Sequence, residues 1–384
     1  MRERYLSLSP YNLVRVILGE SYPSDTDTRN VYIRAADYLE AWIRDGILAK
    51  DSSPSLYVYF QEFTLPDSVQ RLTRKGFIGL GKIEDYSAGI VHRHEQTLSG
   101  PKKDRTELLN HTHAHFGQIF MLYPDQDRAI DRILDEVAAA AAPDAIVVDE
   151  YGALHRLWRI ADPGHIAQIG NLMADKKLLI ADGHHRYETA LNYRDAHPEL
   201  DDAKAVMMSF VNMHSDGLRI LATHRAVSGL SGVELPALLE RLGGEFTIRR
   251  YTDVADLRAQ MEDIRKHRIR IGLVVRDSRE MYVLERDRRT GELDVRLLHE
   301  FLLGEVLGIS AEAVREEKHL KYIRGIEAAV DSVGPDGAEL VFLLQPTPIE
   351  QVAEVSFAGG VMPQKSTDFY PKLLSGMAIY RLER

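Results

Sequence analysis

The chain has 384 residues, of which 45% are hydrophobic and 28% are charged, and it has no long apolar run. This composition disfavours disorder, collagen, repeats and membrane spans. The absence of cysteine excludes disulfides, thiol nucleophiles, iron-sulfur clusters and thiolate zinc sites. The 48 Lys and Arg residues against 58 Asp and Glu residues give a formal charge of −10, which disfavours a nucleic-acid partner. The first residues lack the apolar core of a secretory signal, so we expect a cytoplasmic protein without a membrane partner.

Helix-like and strand-like segments alternate along the first part of the chain. Asp27 and Thr28 can cap a helix whose apolar residues recur every three or four positions and which ends at Gly46. This alternation predicts an α/β or mixed α+β fold. The predicted strands are 56–63, 75–83, 119–123, 146–148, 154–160, 176–181, 206–213 and 218–223, and the further predicted helices are 106–115, 129–142, 164–174 and 184–191.

A Ser/Gly-rich joint at 228–232 separates these segments from a second alternating set. The helix and strand patterns of that set are 235–242, 255–266, 269–275, 281–286 and 298–307. We therefore predict two domains, 1–226 and 227–384, the second also α/β. Nothing in the sequence fixes the oligomeric state.

The turn between the predicted strand 176–181 and the following helix carries the strongest chemical signal. His184, His185 and Arg186 fall in the first helical turn, where unpaired backbone N–H groups and the helix dipole favour an anion such as phosphate. Arg186 can add a bidentate contact, and Asp182, pointing the other way across the turn, can hold a metal ion or accept a proton. The alternative is a plain strand-to-helix connection capped by Asp182, with two solvated histidines.

A second polar stretch, 91–105, gathers carboxylates, cations and imidazoles within a short distance along the chain. Glu95 is a candidate general base, and Lys102 or Arg105 is a candidate phosphate clamp. The alternative is a solvated loop held by salt bridges.

Three closely spaced histidines follow, at His111, His113 and His115. On a strand all three would share one face and, with His92 or His94, could bind zinc or iron, whereas on a helix only His111 and His115 would be neighbours. The surrounding apolar residues favour the helix, and no standard zinc signature is present. Residues 76–83 match a phosphate-binding P-loop up to its lysine, but Ile83 replaces the required Ser or Thr, so we predict a strand there.

The stretch 361–372 is polar and rich in turn residues. Lys365, Ser366 and Thr367 could close over an anion. The alternative is a surface tail held down by Phe369 and Tyr370.

Together these motifs resemble an uncharacterised bacterial and archaeal family, domain of unknown function 1015, over essentially the whole chain. The motifs that carry the resemblance are 94–97 (HEQT), 101–105 (PKKDR), 154–158 (LHRLW), 181–190 (ADGHHRYETA) and 362–367 (MPQKST). That family is similar to the ParB and sulfiredoxin superfamily, which includes free L-serine kinases with a His-Glu pair and an Asp-Gly-x-His-Arg turn. The resemblance implies that 1–226 is a nucleotide-binding catalytic domain with an N-terminal helical segment, and that 227–384 ends in a closing segment.

The resemblance also implies roles for individual residues. Glu95 would deprotonate the serine hydroxyl with His185 beside it, and residues 182–186 would hold the phosphates of ATP or ADP, with Mg²⁺ at Asp182. Asp182, Gly183, His184, His185 and Arg186 are thus the implied phosphate-binding residues. The implied further substrate or phosphate contacts are His94, Thr97, Lys102, Asp104, Arg105, Arg156, Lys365, Ser366 and Thr367.

The sequence therefore predicts a nucleotide-dependent kinase of free L-serine or a similar small hydroxy compound. A non-enzymatic, nucleotide-sensing regulator on the same fold and a His-rich metal-dependent hydrolase are the alternatives. Sulfiredoxin chemistry is excluded because it needs a catalytic cysteine. A ParB-type DNA clamp is disfavoured by the net negative charge.

Overall fold

The computed structural model describes residues 2–66, 68–95, 100–230, 234–276 and 280–383, with the backbone alone described at 100–102. Helices and sheets mix throughout, which confirms the predicted α/β class. The chain forms two compact units, the first made of Met1–Leu65, Gln70–Leu218 and Pro371–Arg384, and the second of Pro66–Val69 and Arg219–Tyr370. The first unit is therefore discontinuous in sequence. The division into domains 1–226 and 227–384 stays a prediction.

The helices of the described residues begin and end as follows. They are α1 (Arg2–Leu8), α2 (Val14–Ile17), α3 (Val31–Arg44), α4 (Gly100–Thr112), α5 (Ala129–Ala140), α6 (Pro163–Met173), α7 (His184–Ala196), α8 (Leu235–Gly243), α9 (Val254–Glu262), α10 (Asp294–Leu297), α11 (Ala311–Arg315), α12 (Ile326–Asp331) and α13 (Ile349–Phe357). Short 3₁₀ turns at Tyr86–Ala88 and Asp201–Lys204 and a π-helical stretch at Leu298–Val306 add to these.

The strands follow the same chain order. They are β1 (Leu56–Thr64), β2 (Arg71–Lys82), β3 (Val91–His92), β4 (Ala114–His115), β5 (Ile119–Tyr123), β6 (Ala145–Val148), β7 (Leu154–Ile160), β8 (Leu178–Asp182), β9 (Ala205–Asn212), β10 (Arg219–Leu221), β11 (Thr223–Val227), β12 (Thr247–Tyr251), β13 (Arg268–Val275), β14 (Met281–Asp287), β15 (Leu320–Arg324), β16 (Leu340–Leu343), β17 (Asp368–Tyr370) and β18 (Tyr380–Arg381).

The first unit is built on one sheet, whose described strands run in the order β3-β8-β5-β9-β2-β1-β7-β6. The pairs β3–β8 and β5–β9 are parallel, and the other neighbours are antiparallel. All five residues of β5 are buried, as their continuous apolar sequence predicts for a central strand. Met121, Ile180 and Phe210 of the sheet share one apolar cluster with Ile133 of α5 and Tyr187 of α7. The face of the sheet that carries these three side chains therefore packs against α5 and α7.

The second unit has its own sheet, with described strands in the order β12-β14-β13-β16-β11-β15, all antiparallel. Its core includes Val274, Val283 and Val341. Two short pairs, β10–β17 in the second unit and β4–β18 in the first, complete the sheets of the described residues. Among the helices that the structure describes, none combines the length and the apolar character needed to cross a membrane.

Two local predictions are wrong at helix ends. The predicted helix 106–115 ends instead at Thr112, because His113 has a left-handed φ of 47° and the next two residues form β4. Helix α3 is capped by Asn30 rather than by Asp27 or Thr28, since the Asn30 side chain accepts hydrogen bonds from the N–H groups of Tyr32 and Ile33. The predicted strand at 76–83 is confirmed as part of β2.

The cap of α3 gives a direct test of stability. Asn30→Ala removes the acceptor of two backbone donors, so we expect the free energy of unfolding to fall by about 1 kcal/mol. Asp27→Ala, at the position that the sequence pattern favoured, should change it by less than about 0.5 kcal/mol. Urea unfolding of both variants measures the difference, and equal losses would contradict the assignment of the cap.

Candidate functional site

The strand β8 ends at Asp182, and α7 begins two residues later at His184. Gly183 makes the turn with φ 100° and ψ 24°, a left-handed conformation that residues with a side chain rarely adopt. The first hydrogen bond of the helix runs from the Tyr187 N–H to the Gly183 carbonyl. The N–H groups before Tyr187 therefore have no acceptor within the helix, and they point into the space in front of it.

The positive φ requires glycine at position 183, and the end of the Arg186 side chain lies close to it. A Cβ atom there would lie 2.8 Å from Nη2 and 3.0 Å from Nε of Arg186. The Arg186 side chain thus folds back over the turn. The predicted strand, tight turn and helix are all present, and the cap is Gly183 without a side-chain bond from Asp182.

A pocket of about 220 Å³ opens in front of the start of α7, inside the first unit. Residues far apart in the sequence converge on it. Its lining residues are Glu95, Arg105, Asp182, Gly183, His184, His185 and Arg186. The structure therefore brings the carboxylate from the second polar stretch, an arginine of α4 and the whole turn 182–186 to one place.

The Asp182 carboxylate is paired with two cations. Arg186 Nη2 donates to Oδ2 at 2.8 Å, and Lys372 Nζ lies 3.5 Å from Oδ1. Burial on its own raises the pKa of Asp182, but the two cations outweigh it and hold the pKa below its usual value. Asp182 does not point away from Arg186, as the sequence pattern suggested; it anchors that guanidinium beside the pocket.

Two guanidinium groups, those of Arg105 and Arg186, line this pocket together. Burial lowers the pKa of Arg105, and the nearby charge of Arg186 lowers it further. Like charges brought together in this way cost free energy, and an anion between them would offset that cost. The electrostatics therefore favour a ligand with negative charge.

Behind the pocket lie two buried imidazoles, His94 and His184, with ring centroids 4.7 Å apart. His94 Nδ1 lies 2.7 Å from the Ile180 carbonyl, so this nitrogen carries the proton and donates. The His184 Nε2 atom accepts from the His94 backbone N–H at 3.4 Å. Burial lowers the pKa of both rings, that of His184 to about 3, and so favours their neutral forms. These histidines are not solvated; they tie the residue before Glu95 to the start of α7.

Several predicted contact residues are not in this pocket. Asp104 accepts from the Tyr32 hydroxyl at 3.0 Å, and the Arg156 guanidinium lies 2.6 Å from Glu62 across β1 and β7. His94 is only 1% exposed, behind the pocket wall. Thr97 and the Lys102 side chain lie outside the described residues.

The residues Lys365, Ser366 and Thr367 belong to the second unit. Lys365 has a left-handed φ of 56°, and the Ser366 carbonyl accepts from the Thr347 hydroxyl. The lysine of the stretch 361–372 that reaches the pocket rim is Lys372, which sequence reasoning missed. The stretch was singled out from the sequence, but its pattern did not distinguish Lys372 from Lys365, because the contact with Asp182 joins two segments far apart in the chain.

The alternative of a histidine metal site finds no support among the described residues. His111 Nδ1 bonds the Glu107 carbonyl, His113 Nδ1 contacts the Tyr193 hydroxyl, and the buried His115 ring stacks on Tyr380. Within the described ranges no group of three or more His, Asp or Glu side chains could hold a metal ion. Asp182 and Glu95 are the carboxylates of the described pocket lining, and both oxygens of Asp182 face cations, so the Mg²⁺ site at Asp182 stays a prediction.

The turn at Gly183 is testable by substitution. Gly183→Ala forces a side chain into a left-handed backbone and against Arg186, so we expect the free energy of unfolding to fall by about 1–2 kcal/mol. Gly170→Ala is the matched control, since Gly170 is an exposed position of α6 with open space around its Cβ. That control should gain up to about 1 kcal/mol. Denaturant unfolding measures both variants. Equal changes in their free energies of unfolding would contradict the turn geometry.

The buried His184 predicts a loss of stability in acid. Above pH 6.5 the ring is neutral in both folded and unfolded chains; below that pH the unfolded chain binds a proton that the folded one refuses until about pH 3. Stability therefore falls as the pH drops from 6.5. In His184→Gln this fall should be smaller by up to about 3 kcal/mol at pH 4, measured by urea unfolding across the range. If the free energy of unfolding fell equally with pH in the wild type and in His184→Gln, the prediction would be contradicted.

Solved structures offer partial likenesses. A free serine kinase in complex with AMP has 15% identity and a TM-score of 0.38, covering 76% of this chain and 86% of that one. A mutant of free serine kinase in complex with ADP has 14% identity and a TM-score of 0.38, covering 76% and 87%. SbnI with a C-terminal truncation, from Staphylococcus aureus, has 12% identity and a TM-score of 0.36, covering 77% and 85%. TM-scores below 0.5 carry no functional inference.

No protein with a curated description matches the sequence significantly. The relation to the ParB and sulfiredoxin superfamily stays a prediction. The family model described as protein of unknown function (DUF1015) matches residues 1–299, well over half of the chain. This protein therefore belongs to the DUF1015 family.

Proposed function

We propose that this protein is a nucleotide-dependent kinase that phosphorylates free L-serine or a similar small hydroxy compound. The observation that carries the proposal is the single pocket in which Glu95 shares the space in front of α7 with Arg105 and Arg186. Phosphoryl transfer needs phosphate binding, charge neutralisation and one oriented base. Those three requirements match this set of residues.

The start of α7 would bind the phosphates of ATP or ADP. The backbone N–H groups of the first turn, the helix dipole and two guanidinium groups all favour an anion at this position. Arg186 now donates to Asp182 through Nη2. Its guanidinium has further donors, so it can contact a phosphate oxygen while it keeps that bond.

Glu95 would act as the base toward the acceptor hydroxyl. The hydroxyl oxygen attacks the terminal phosphorus, the bond from that phosphorus to the bridging oxygen breaks, and the hydroxyl proton passes to the Glu95 carboxylate. The products are a phosphomonoester and a nucleotide shortened by one phosphate. His185, on the same wall of the pocket, is the neighbouring polar group proposed to orient the acceptor. Mg²⁺, when it enters with the nucleotide, supplies neutralisation of phosphate charge.

The alternative is a nucleotide-sensing regulator that uses the same phosphate cradle without turnover. Glu95 separates the two, because a sensor has no need of a base beside the phosphates. The metal-dependent hydrolase has no supporting cluster in the part of the chain that the structure describes.

The proposal predicts a split between binding and turnover. With ATP or ADP, Mg²⁺ and L-serine, phosphorus NMR should detect a new phosphomonoester signal for the wild-type protein. Glu95→Gln should lower the rate of its formation at least about a hundredfold, because a positioned base contributes that much, while nucleotide affinity stays within about threefold. Glu107→Gln, a carboxylate of α4 outside the pocket lining, is the matched control and should keep full activity.

The His185→Ala variant tests whether the reaction takes place at the turn. We expect the phosphomonoester signal of this variant to be much weaker than that of the wild type. Nucleotide binding without any product, over a panel of small hydroxy compounds, would support the regulator and overturn the kinase. Full activity in Glu95→Gln would overturn the role of this residue as the base.

A further inference from the structure

The residues 371–376 form a segment that crosses the face of the first sheet opposite to its helix-packed face. We call this stretch the C-terminal strap. It brings Lys372 Nζ to 3.5 Å from Asp182 Oδ1, the oxygen that Arg186 does not occupy. The Lys372 side chain is 54% exposed, so its ammonium can move while its backbone is held.

Buried polar side chains of the sheet hold the first part of the strap. Arg74, which is 1% exposed, donates from Nη2 to the Pro371 carbonyl at 2.5 Å and from Nε to Gln61 Oε1 at 2.9 Å. Gln61 Nε2 donates to the Lys372 carbonyl at 3.0 Å. Gln61 and Arg74 are direct partners across β1 and β2. Side chains from two neighbouring strands therefore hold the carbonyl groups of Pro371 and Lys372, and so fix the backbone at Lys372.

A second chain of hydrogen bonds holds the strap two residues further on. The Leu374 N–H donates to the Tyr59 hydroxyl at 3.2 Å, and that hydroxyl donates to His155 Nδ1 at 2.6 Å. His155 Nε2 in turn donates to Asp149 at 3.1 Å, which settles the tautomer. His155 is fully buried, so this network is a permanent part of the sheet face.

The far end of the strap lies against the segment before β5. The Gly376 N–H donates to the Phe116 carbonyl at 3.1 Å, and Gln118 Nε2 donates to the Leu374 carbonyl at 3.4 Å. A Cβ atom on Gly117 would meet Ser375 Oγ at 3.3 Å and Arg186 Cδ at 3.8 Å. The strap is therefore packed close to the arginine of the pocket itself.

Once Lys372 is included, the positive charges around the pocket outnumber the negative ones. Arg105, Arg186 and Lys372 face the carboxylates of Glu95 and Asp182, and the positive end of α7 adds to the cations. In the described part of the site a single negative group would balance this excess. A phosphate group is negatively charged and accepts from several donors.

We propose that Lys372 is a phosphate-binding residue of this pocket, delivered by the C-terminal strap and turning from Asp182 toward the terminal phosphate of the ligand. This inference deepens the proposed function, since it rests on anion binding at the pocket, but it does not depend on transfer to serine. Arg186 then keeps Asp182 paired while the ammonium moves.

The test compares Lys372→Met and Lys372→Arg with the wild type, using pyrophosphate and ADP as probes in isothermal titration calorimetry. We expect Lys372→Met to weaken both affinities about tenfold, and Lys372→Arg to stay within about threefold, because the positive charge is retained. Lys204→Met is the matched control: Lys204 is 56% exposed and pairs with Asp201, outside the pocket lining. Its affinities should equal those of the wild type.

Salt dependence separates a phosphate contact from a structural role. Between roughly 50 and 300 mM NaCl, the affinity of Lys372→Met for pyrophosphate and ADP should fall less steeply than that of the wild type. The melting temperature of this variant without ligand should stay unchanged. Unchanged affinity in Lys372→Met would overturn the inference. Equal losses of affinity and melting temperature in the Met and Arg variants would also overturn it, in favour of a structural role.

The two proposals fail in different ways. If the wild-type protein binds neither pyrophosphate nor ADP, the phosphate site and the proposed function both fall. If the wild type binds them and Lys372→Met binds them equally well, only the role of Lys372 falls. If binding depends on Lys372 and no phosphomonoester forms, the kinase falls and this inference stands.

Discussion

Asp182 ends a buried strand at the point where a helix begins, and each of its carboxylate oxygens faces a different cation. This ion cluster organises the rest of the site. A carboxylate in this position gains from the positive end of α7, but burial opposes its charge, and the two cations keep it ionised. In return it holds Arg186 over the glycine turn and Lys372 at the pocket rim. Without it, the like charges of Arg105 and Arg186 would have no fixed counter-charge between the helix and the strap.

The neutral histidines are the structural support of this charged surface. His184 occupies the first turn of α7, yet burial lowers its pKa to about 3, so the positive charge of the pocket comes from arginine and the helix rather than from imidazole. Its bond to the His94 backbone sets the position of the next residue, Glu95. Glu95 and the start of α7 are therefore coupled through the neutral His184 ring, and a change of pH near neutrality does not disturb this contact.

The local features of the site could be read from the sequence, whereas the tertiary ones could not. The apolar run before Asp182, the glycine and the pattern after it predict a strand, a turn and a helix start, because each depends on neighbours within a few residues. The end of α4 at Thr112 depends on a left-handed His113, which only tertiary contacts select over a longer helix. The sequence marked the stretch 361–372 but favoured Lys365 over Lys372, because the position of Lys372 depends on Arg74 and Gln61 on distant strands.

The first unit is completed by chain that returns after the second unit, and this order has a physical consequence. In a chain that stops at 226, the Arg74 guanidinium and the Tyr59 hydroxyl would lack the strap groups with which they bond, namely the Pro371 carbonyl and the Leu374 N–H. Buried polar groups that lose their partners cost about 1–3 kcal/mol each, more for a charged one. Apolar strap residues such as Leu373 also cover Tyr59 and Ile78 on this face. The sheet and the strap therefore form one cooperative structure, and Lys372 stands beside Asp182 only when residues 371–376 have docked.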